Sequence, residues 1–260
     1  MSDDRIVDRE EKITAMQAGG KILAQVRDAV VAEVKPGVSF ETLEAIAQHE
    51  LKRLGAEPSF STVEGYRWAT CITKNEGCVH GIPVGKTVDF GDIITIDVGA
   101  LYGGYHTDTS ITVCAGECSK RVQQFIATGV KAVDAAIAQV HAGATVYDLS
   151  LAMQSVVESA GYRCVYQLTG HGVGKKLHMD PSIPCYADER SKKDILHEGQ
   201  TLAVEIMYAM GNPKLVLAAD GWTYETEDHS LTGMYEHTVL VTKDGVEVLT
   251  RSLYSPRFPS

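Results

Sequence analysis

The sequence predicts an α+β fold in which two pseudo-symmetric halves share one antiparallel sheet, with the helices on one face. Three observations predict it. Apolar residues fall at helical spacing in paired segments, strand-like apolar runs follow the first pair, and the second half repeats landmarks of the first in the same order. With 260 residues the chain has room for one large or two small domains and a sizeable core. The duplication favours a single unit over residues 1–260, with internal halves of about 8–118 and 119–250.

Ile13, Met16, Leu23, Val26 and Val30 predict a first helix, which Val34-Lys35-Pro36-Gly37 stops. Ser39 is the N-cap of a second, with Leu43, Ile46, Leu51 and Leu54 on one side and Gly55 at its end. Ile93 to Val98 and Ser110 to Val113 read as strands of a hairpin turned at Gly103-Gly104. Beyond Ser119, residues Val122, Phe125, Ile126, Val130, Val133 and Ile137 form a third helix, and then the pattern restarts. Val34 to Ser39, with Leu43 and Gly55, matches Val140 to Thr145, with Leu149 and Gly161. Gly91 to Asp97 matches Gly199 to Glu205, His80 with Pro83 matches His178 with Pro181, and Asp108 to Val113 matches Glu236 to Val241. One such match is weak because strands share composition; four in the same order are not. Short tails are expected at residues 1 to about 7 and from Ser252 to Ser260.

Composition narrows the partners. A formal net charge of -10 would repel phosphate backbones and anionic lipid, so nucleic acid is not an expected partner. The sequence contains no apolar run of ~18 residues, the length of a membrane span, and Met1-Ser2-Asp3-Asp4-Arg5 is too acidic for a signal or transit peptide. A cytoplasmic protein without a membrane partner is expected, with a monomer as the default state. The six cysteines form no C-x-x-C pair and are expected as reduced thiols; Cys114 and Cys118, four apart, read as incidental.

The duplication also pairs chemistry. It matches Asp97 with Glu205, Asp108 with Glu236 and His80 with His178, and an approximate two-fold axis would bring these groups together. Two like charges ~4 Å apart cost about 4 kcal/mol at an effective dielectric near 20, so four clustered carboxylates require protonation or cations. Two divalent cations cancel four negative charges, and oxygen ligands with an imidazole suit Mn, Co, Fe or Zn. Taken singly, Asp97 could simply end a strand and accept backbone N–H groups. Its counterpart changes that balance, because Val204-Glu205-Ile206 sets a carboxylate inside an apolar strand, where an unpaired charge costs several kcal/mol. His106 and His237, beside their acids, read as ordinary polar neighbours.

Gly170-His171-Gly172-Val173-Gly174-Lys175-Lys176 resembles a phosphate loop only superficially, since Thr169 and Lys176 stand where Gly and Ser or Thr are needed. What remains is a histidine flanked by glycines, either a capped loop or a place where backbones pass closely. The chain has no G-x-S-x-G elbow and no H-E-x-x-H helix.

These residues together resemble the methionine aminopeptidases, specifically the short type 1 form of bacteria within the pita-bread metallopeptidase family. The resemblance spans essentially the whole chain, through Asn75-Glu76-Gly77-Cys78-Val79-His80-Gly81-Ile82-Pro83, Ile96-Asp97-Val98-Gly99, Thr107-Asp108-Thr109, Thr169-Gly170-His171-Gly172-Val173-Gly174, His178 with Pro181, Asp220-Gly221-Trp222 and Tyr235-Glu236-His237-Thr238. It implies a pita-bread fold with a curved antiparallel sheet and helices on its outer face. It also implies two divalent ions, bridged by Asp108 and Glu236, with Asp97 on one and His171 and Glu205 on the other. The implied reaction removes the initiator methionine from nascent polypeptides, at the ribosome or after it, through a water or hydroxide between the ions. Glu205 is then the general base or proton shuttle, His178 the partner of the scissile amide, and His80 a contact to substrate and leaving nitrogen.

Tyr66, Cys71, His80 and Trp222 resemble residues around the methionine side chain. Departures lie close by: Phe60 and Val63 replace a usual Cys and Tyr, Leu177 an aromatic, Arg67 a Pro and Ile206 a Pro. A Xaa-Pro aminopeptidase or prolidase on the same scaffold is the alternative reading. Such enzymes usually carry a large extra N-terminal domain and an acidic residue where His237 stands. A non-catalytic peptide-binding module is the other alternative.

Overall fold

A computed structural model describes residues 2–252, with side chains from residue 9. Helix α1 (Ser2–Ala32) leads into α2 (Phe40–Arg53), then strands β1 (Glu57–Pro58), β2 (Thr70–Lys74), β3 (Gly77–Val79), β4 (Ile93–Tyr102) and β5 (Tyr105–Cys114). The second half opens with α3 (Lys120–Ile137) and α4 (Val146–Ser159). It continues through β6 (Arg163–Cys164), β7 (Thr169–Gly172), β8 (Met179–Pro184), β9 (Thr201–Ala209), β10 (Leu215–Leu217), β11 (Tyr224–Thr226), β12 (Thr232–Val241) and β13 (Val246–Val248). The segment expected as an N-terminal tail is helical from Ser2, and residues 253–260 of the other expected tail lie outside the described residues.

The caps fall where the sequence puts them. Ser39 accepts a hydrogen bond from the Thr42 N–H, and its counterpart Thr145 forms a reciprocal capping box with Asp148. Tyr102 and Tyr105 face each other across Gly103 and Gly104, both at positive φ, as a two-residue hairpin turn requires.

The main sheet runs β1-β4-β5-β12-β9-β7-β8, with β2 beside β4, β6 beside β9 and β13 beside β12. The halves therefore meet where β5 pairs β12. A separate three-stranded sheet, β10-β11-β3, was not legible in the sequence. Its strands are only three residues long and draw one member from the first half and two from the second.

Each half buries its own core against its own helices. Leu23, Val26, Val30, Leu43 and Leu51 pack with Ile94, Ile96 and Val98 of β4. Phe125, Val133, Leu149 and Met153 pack with Leu202, Val204 and Ile206 of β9. Because strand side chains alternate, filling the helix face with these residues turns Asp97 and Glu205 to the other face.

The two-fold likeness has a measurable fault. Glu205 sits directly opposite Glu236, whereas Asp97 sits opposite Ser110 and Asp108 opposite Gly99. The hairpin register of the first half is offset by two residues, so its two acids are diagonal neighbours. Gly99 opposite Asp108 has a reason of its own: a Cβ there would meet the Phe60 ring at 2.7 Å.

One cysteine expectation is corrected. Cys114 and Cys118 are joined as a disulfide. Gly116, at φ +82°, turns the chain back after β5 and leaves the two Cα atoms 6.2 Å apart, within bonding range. Cys71, Cys78, Cys164 and Cys185 are free and buried. Among the described residues no helix is long and apolar enough to cross a membrane.

Glycines 170 and 172 let the strands around His171 approach. A Cβ on Gly170 would lie 2.6 Å from the Ala203 carbonyl of β9, and one on Gly172 would lie 2.2 Å from the Asp180 carbonyl of β8. The capped-loop reading of this segment gives way to a strand. Gly170→Ala is expected to destabilise the protein by about 1–3 kcal/mol through overpacking; urea unfolding at unchanged midpoint would contradict this close approach.

Candidate active site

Five strands contribute to one row across the sheet. Cys71 of β2 lies opposite Asp97 of β4, Asp97 opposite Ser110 of β5, Ser110 opposite Glu236 of β12, and Glu236 opposite Glu205 of β9. Directly opposite residues share a face, and Asp108, two residues before Ser110, shares it too. His171 of β7 pairs with Ala203, two residues before Glu205. Ligand-type atoms of Asp108, His171 and Glu236 all lie within 4.8 Å of one another.

The cluster is buried and short of partners. Asp97, Asp108, Glu205 and Glu236 are buried. Oδ1 of Asp97, Oδ1 of Asp108 and both carboxylate oxygens of Glu236 have no hydrogen-bond partner. Native buried polar groups are nearly always paired, so four orphaned acceptors in one place point to a missing counter-charge. Burial, reinforced by neighbouring carboxylates, pushes Asp97, Glu205 and Glu236 well above the usual carboxylate range. Burial likewise pushes Asp108 up to about 7.

His171 complements this set. Its Nδ1–H donates to the Gly172 carbonyl at 2.9 Å, which leaves Nε2 with a lone pair 4.0 Å from Glu205 Oε1. Burial drives its pKa down to about 4, so the ring is neutral at neutral pH. Carboxylate oxygens with one imidazole suit a borderline-hard divalent cation such as Mn, Fe, Co or Zn, and the residues present fit such an ion.

A cavity of about 340 Å³ opens over the cluster, and it is lined by the ten residues to which the resemblance gives catalytic, metal or substrate roles: Tyr66, Cys71, His80, Asp97, Asp108, His171, His178, Glu205, Trp222 and Glu236. One wall is apolar, built from Phe60, Tyr66, Cys71 and Leu177 with Val63 and Trp222 packed on them. Tyr66 is fixed by its hydroxyl, which donates to the Thr70 carbonyl at 2.7 Å, and stacks edge-on with Trp222 at 5.1 Å. Asp220 accepts the Trp222 and Thr223 N–H groups and so holds the turn that presents the indole. Burial raises the Tyr66 and Cys71 pKa values, keeping that wall uncharged.

His178 meets His171 edge to face at 4.5 Å. His80 takes a left-handed backbone, φ +57°, and packs on Tyr224 at 5.9 Å. Burial lowers both pKa values, and the proximity of His178 lowers that of His80 further. His106 and His237 are not in the cavity lining. Each pairs with a hydroxyl instead, His106 with Ser59 at 2.7 Å and His237 with Thr250 at 2.9 Å.

Several cavity residues went unread in the sequence. Met207 and Met234 line it two residues from Glu205 and Glu236, so strand alternation alone could have found them. Gln167 carries no such signal: its amide exchanges hydrogen bonds with the backbone of Leu215, at 2.6 and 2.9 Å. Glu44, buried in α2, accepts from Ala69 N–H, Thr70 N–H and the Thr70 hydroxyl, fixing the start of the strand that carries Cys71.

Comparison with known proteins agrees with this geometry. Residues 14–243 match the model of metallopeptidase family M24. The chain belongs to that family. Within it, the chain is 37% identical over 250 residues to the methionine aminopeptidase of Aquifex aeolicus, covering 93% of this chain and 96% of that protein. It is 35% identical over 236 residues to methionine aminopeptidase 1 of Bacillus subtilis, covering 91% and 95%. The crystal structure of the Thermotoga maritima methionine aminopeptidase superposes with a TM-score of 0.90 at 36% identity, over 93% of this chain and 97% of that one. A prolidase from Pyrococcus horikoshii shares the fold at 23% identity and TM-score 0.75, with this chain spanning 62% of its length. The M24 member described here thus has the pita-bread fold, and its family is one of divalent-metal peptidases.

The raised carboxyl pKa values fix a sign for stability. A group whose folded pKa exceeds its unfolded one stabilises at low pH and loses that contribution as pH rises through the folded value. Below about pH 6 the buried histidines oppose this, because unfolding lets them take up protons; above pH 7 unfolded histidines are mostly neutral. Chelated protein should therefore lose melting temperature between pH 7 and 9, and saturating Mn²⁺ should flatten that slope. A chelated protein equally stable across this range would contradict the buried, proton-holding cluster.

Proposed function

We propose that the chain is a methionine aminopeptidase, removing the N-terminal methionine from polypeptides with two divalent ions held by Asp97, Asp108, His171, Glu205 and Glu236. The orphaned carboxylate oxygens beside an apolar, uncharged pocket carry this reading. The names of the curated relatives support it. Divalent ions there supply Lewis acidity toward the scissile carbonyl and lower the pKa of water.

The chain's own groups do the rest. The wall of Phe60, Tyr66, Cys71, Leu177 and Trp222 takes the first side chain, where burying a methionine is worth about 1.5–3 kcal/mol. His178 and His80 act as neutral imidazoles at neutral pH, each with one N–H donor and one bare nitrogen: the N–H of His178 faces the scissile carbonyl oxygen, and the bare nitrogen of His80 accepts from the scissile amide N–H. Glu205, ionised once the cluster holds its ions, takes a proton from the attacking water and returns it to the leaving amine. With Val63 and Leu177 aliphatic, selectivity for methionine over other apolar side chains rests on contacts worth ~1–2 kcal/mol. The partners in this reading are N-termini of nascent polypeptides, met by a cytoplasmic monomer; a net charge of -10 argues against holding nucleic acid directly.

After chelation and readdition of single metals, Met-Gly peptides should be cleaved and Ala-Pro peptides left intact; the reverse preference would overturn the substrate assignment. His178→Ala should lower kcat about 10²–10³-fold with little change in KM. An unchanged kcat would remove His178 from the reacting amide.

A further inference from the structure

Ser110 occupies a place that no structural duty explains. It stands in β5 with Asp97 directly opposite on one side and Glu236 directly opposite on the other. Side chains so placed share a face and have Cβ atoms roughly 4.5–5.5 Å apart. Ser110 is 2% exposed, and its Oγ has no hydrogen-bond partner. The nearest acids in the row are the same ones whose oxygens are orphaned, Oδ1 of Asp97 and both oxygens of Glu236. A buried hydroxyl left unpaired costs about 1–3 kcal/mol, a cost that alanine would avoid.

The duplication supplies a control within the molecule. The repeat that matches Asp108 with Glu236 matches Ser110 with Thr238. Thr238 serves the backbone of Asp108: its Oγ1 accepts from the Asp108 N–H at 2.8 Å and donates to the Asp108 carbonyl at 2.8 Å. The corresponding service at Glu236 is done by a different residue, Thr109, whose hydroxyl donates to the Glu236 carbonyl at 2.8 Å. Arg27, from α1 on the helix face, in turn donates to that Thr109 hydroxyl at 2.9 Å. Ser110 is thus relieved of the task its counterpart performs, and its hydroxyl is left among carboxylates.

We propose that Ser110 is a positioning residue of the ion site, its single Oγ–H donating to one of the two ionised carboxylates that flank it, Asp97 or Glu236, and fixing which oxygen of that carboxylate faces the cations. The inference rests on the reading of the acidic cluster as a divalent-ion site. A donor to a carboxylate stabilises its charged, ligand-competent form and removes a rotational choice that it would otherwise have. It contributes little to the metal-free protein, where it is unpaired.

Calorimetric titration of chelated protein with Mn²⁺ tests this, together with melting of the chelated and Mn²⁺-loaded forms, for wild type, Ser110→Ala and Ser110→Thr. Ser110→Ala should weaken Mn²⁺ binding about 10-fold or more and shrink the melting shift on loading. The chelated form should melt no lower than wild type, and Ser110→Thr, which keeps the hydroxyl, should retain affinity. Wild-type Mn²⁺ affinity in Ser110→Ala would overturn the inference alone. A fall in melting temperature equal in chelated and loaded forms would do the same, by marking the hydroxyl as structural. A wild-type chain that binds no Mn²⁺ would instead overturn the reading of the cluster, and this inference with it.

Discussion

Four carboxylates buried on one face of a sheet repel one another, and much of the structure around them follows from the need to hold them there. In water each would find solvent; here Asp97, Asp108 and Glu236 keep oxygens that touch no donor. Without cations, burial shifts every one of these groups toward its protonated form, which lessens the repulsion. A divalent cation relieves the same repulsion more completely, because it satisfies several lone pairs at once and cancels charge.

Holding such a cluster is a task for a rigid scaffold. The helices give each half a separate apolar core, anchored on alternate residues of β4 and β9. With those residues committed to the helix face, the intervening Asp97 and Glu205 have only the opposite face. Pairing of β5 with β12 then joins the halves, and Asp108 and Glu236 come from the two strands at that seam. Chemistry thus lies where neither half alone could complete it. The apolar wall beside it is assembled from different material: Phe60 of a short 3₁₀ turn and the loop residues Tyr66 and Trp222, with the Tyr66 hydroxyl pinned to the Thr70 carbonyl and the Trp222 N–H held by Asp220.

What was legible in the sequence follows that division. Residues whose position depends on strand alternation and duplication were readable: Asp97, Glu205, Asp108, Glu236 and the caps Ser39 and Thr145. His171 was marked by its glycines, whose purpose emerged only when β8 and β9 were seen to pass within contact of them. The small sheet β10-β11-β3 was not legible, because three-residue strands carry no periodicity and their pairing joins distant segments. Gln167 and Glu44 act on backbone groups that the chain brings to them from elsewhere, and no local pattern announces such a bond. The disulfide depended on the turn at Gly116, and spacing alone did not reveal it. Nor did the repeat predict its own fault: a two-residue offset between halves is invisible in an alignment of single strands.

The central claim is that the cluster exchanges protons for divalent cations. Counting both at once tests it most directly: chelated protein is titrated with Mn²⁺ near pH 7 in buffers of different ionisation enthalpy, giving ions bound and protons released per chain. The account predicts saturable binding of about two ions with net proton release, since carboxyls held protonated by burial must ionise to serve as ligands. Saturable binding with no proton release would mean that the carboxylates were already charged, and an absence of binding would leave the cluster without the counter-ions on which its arrangement depends.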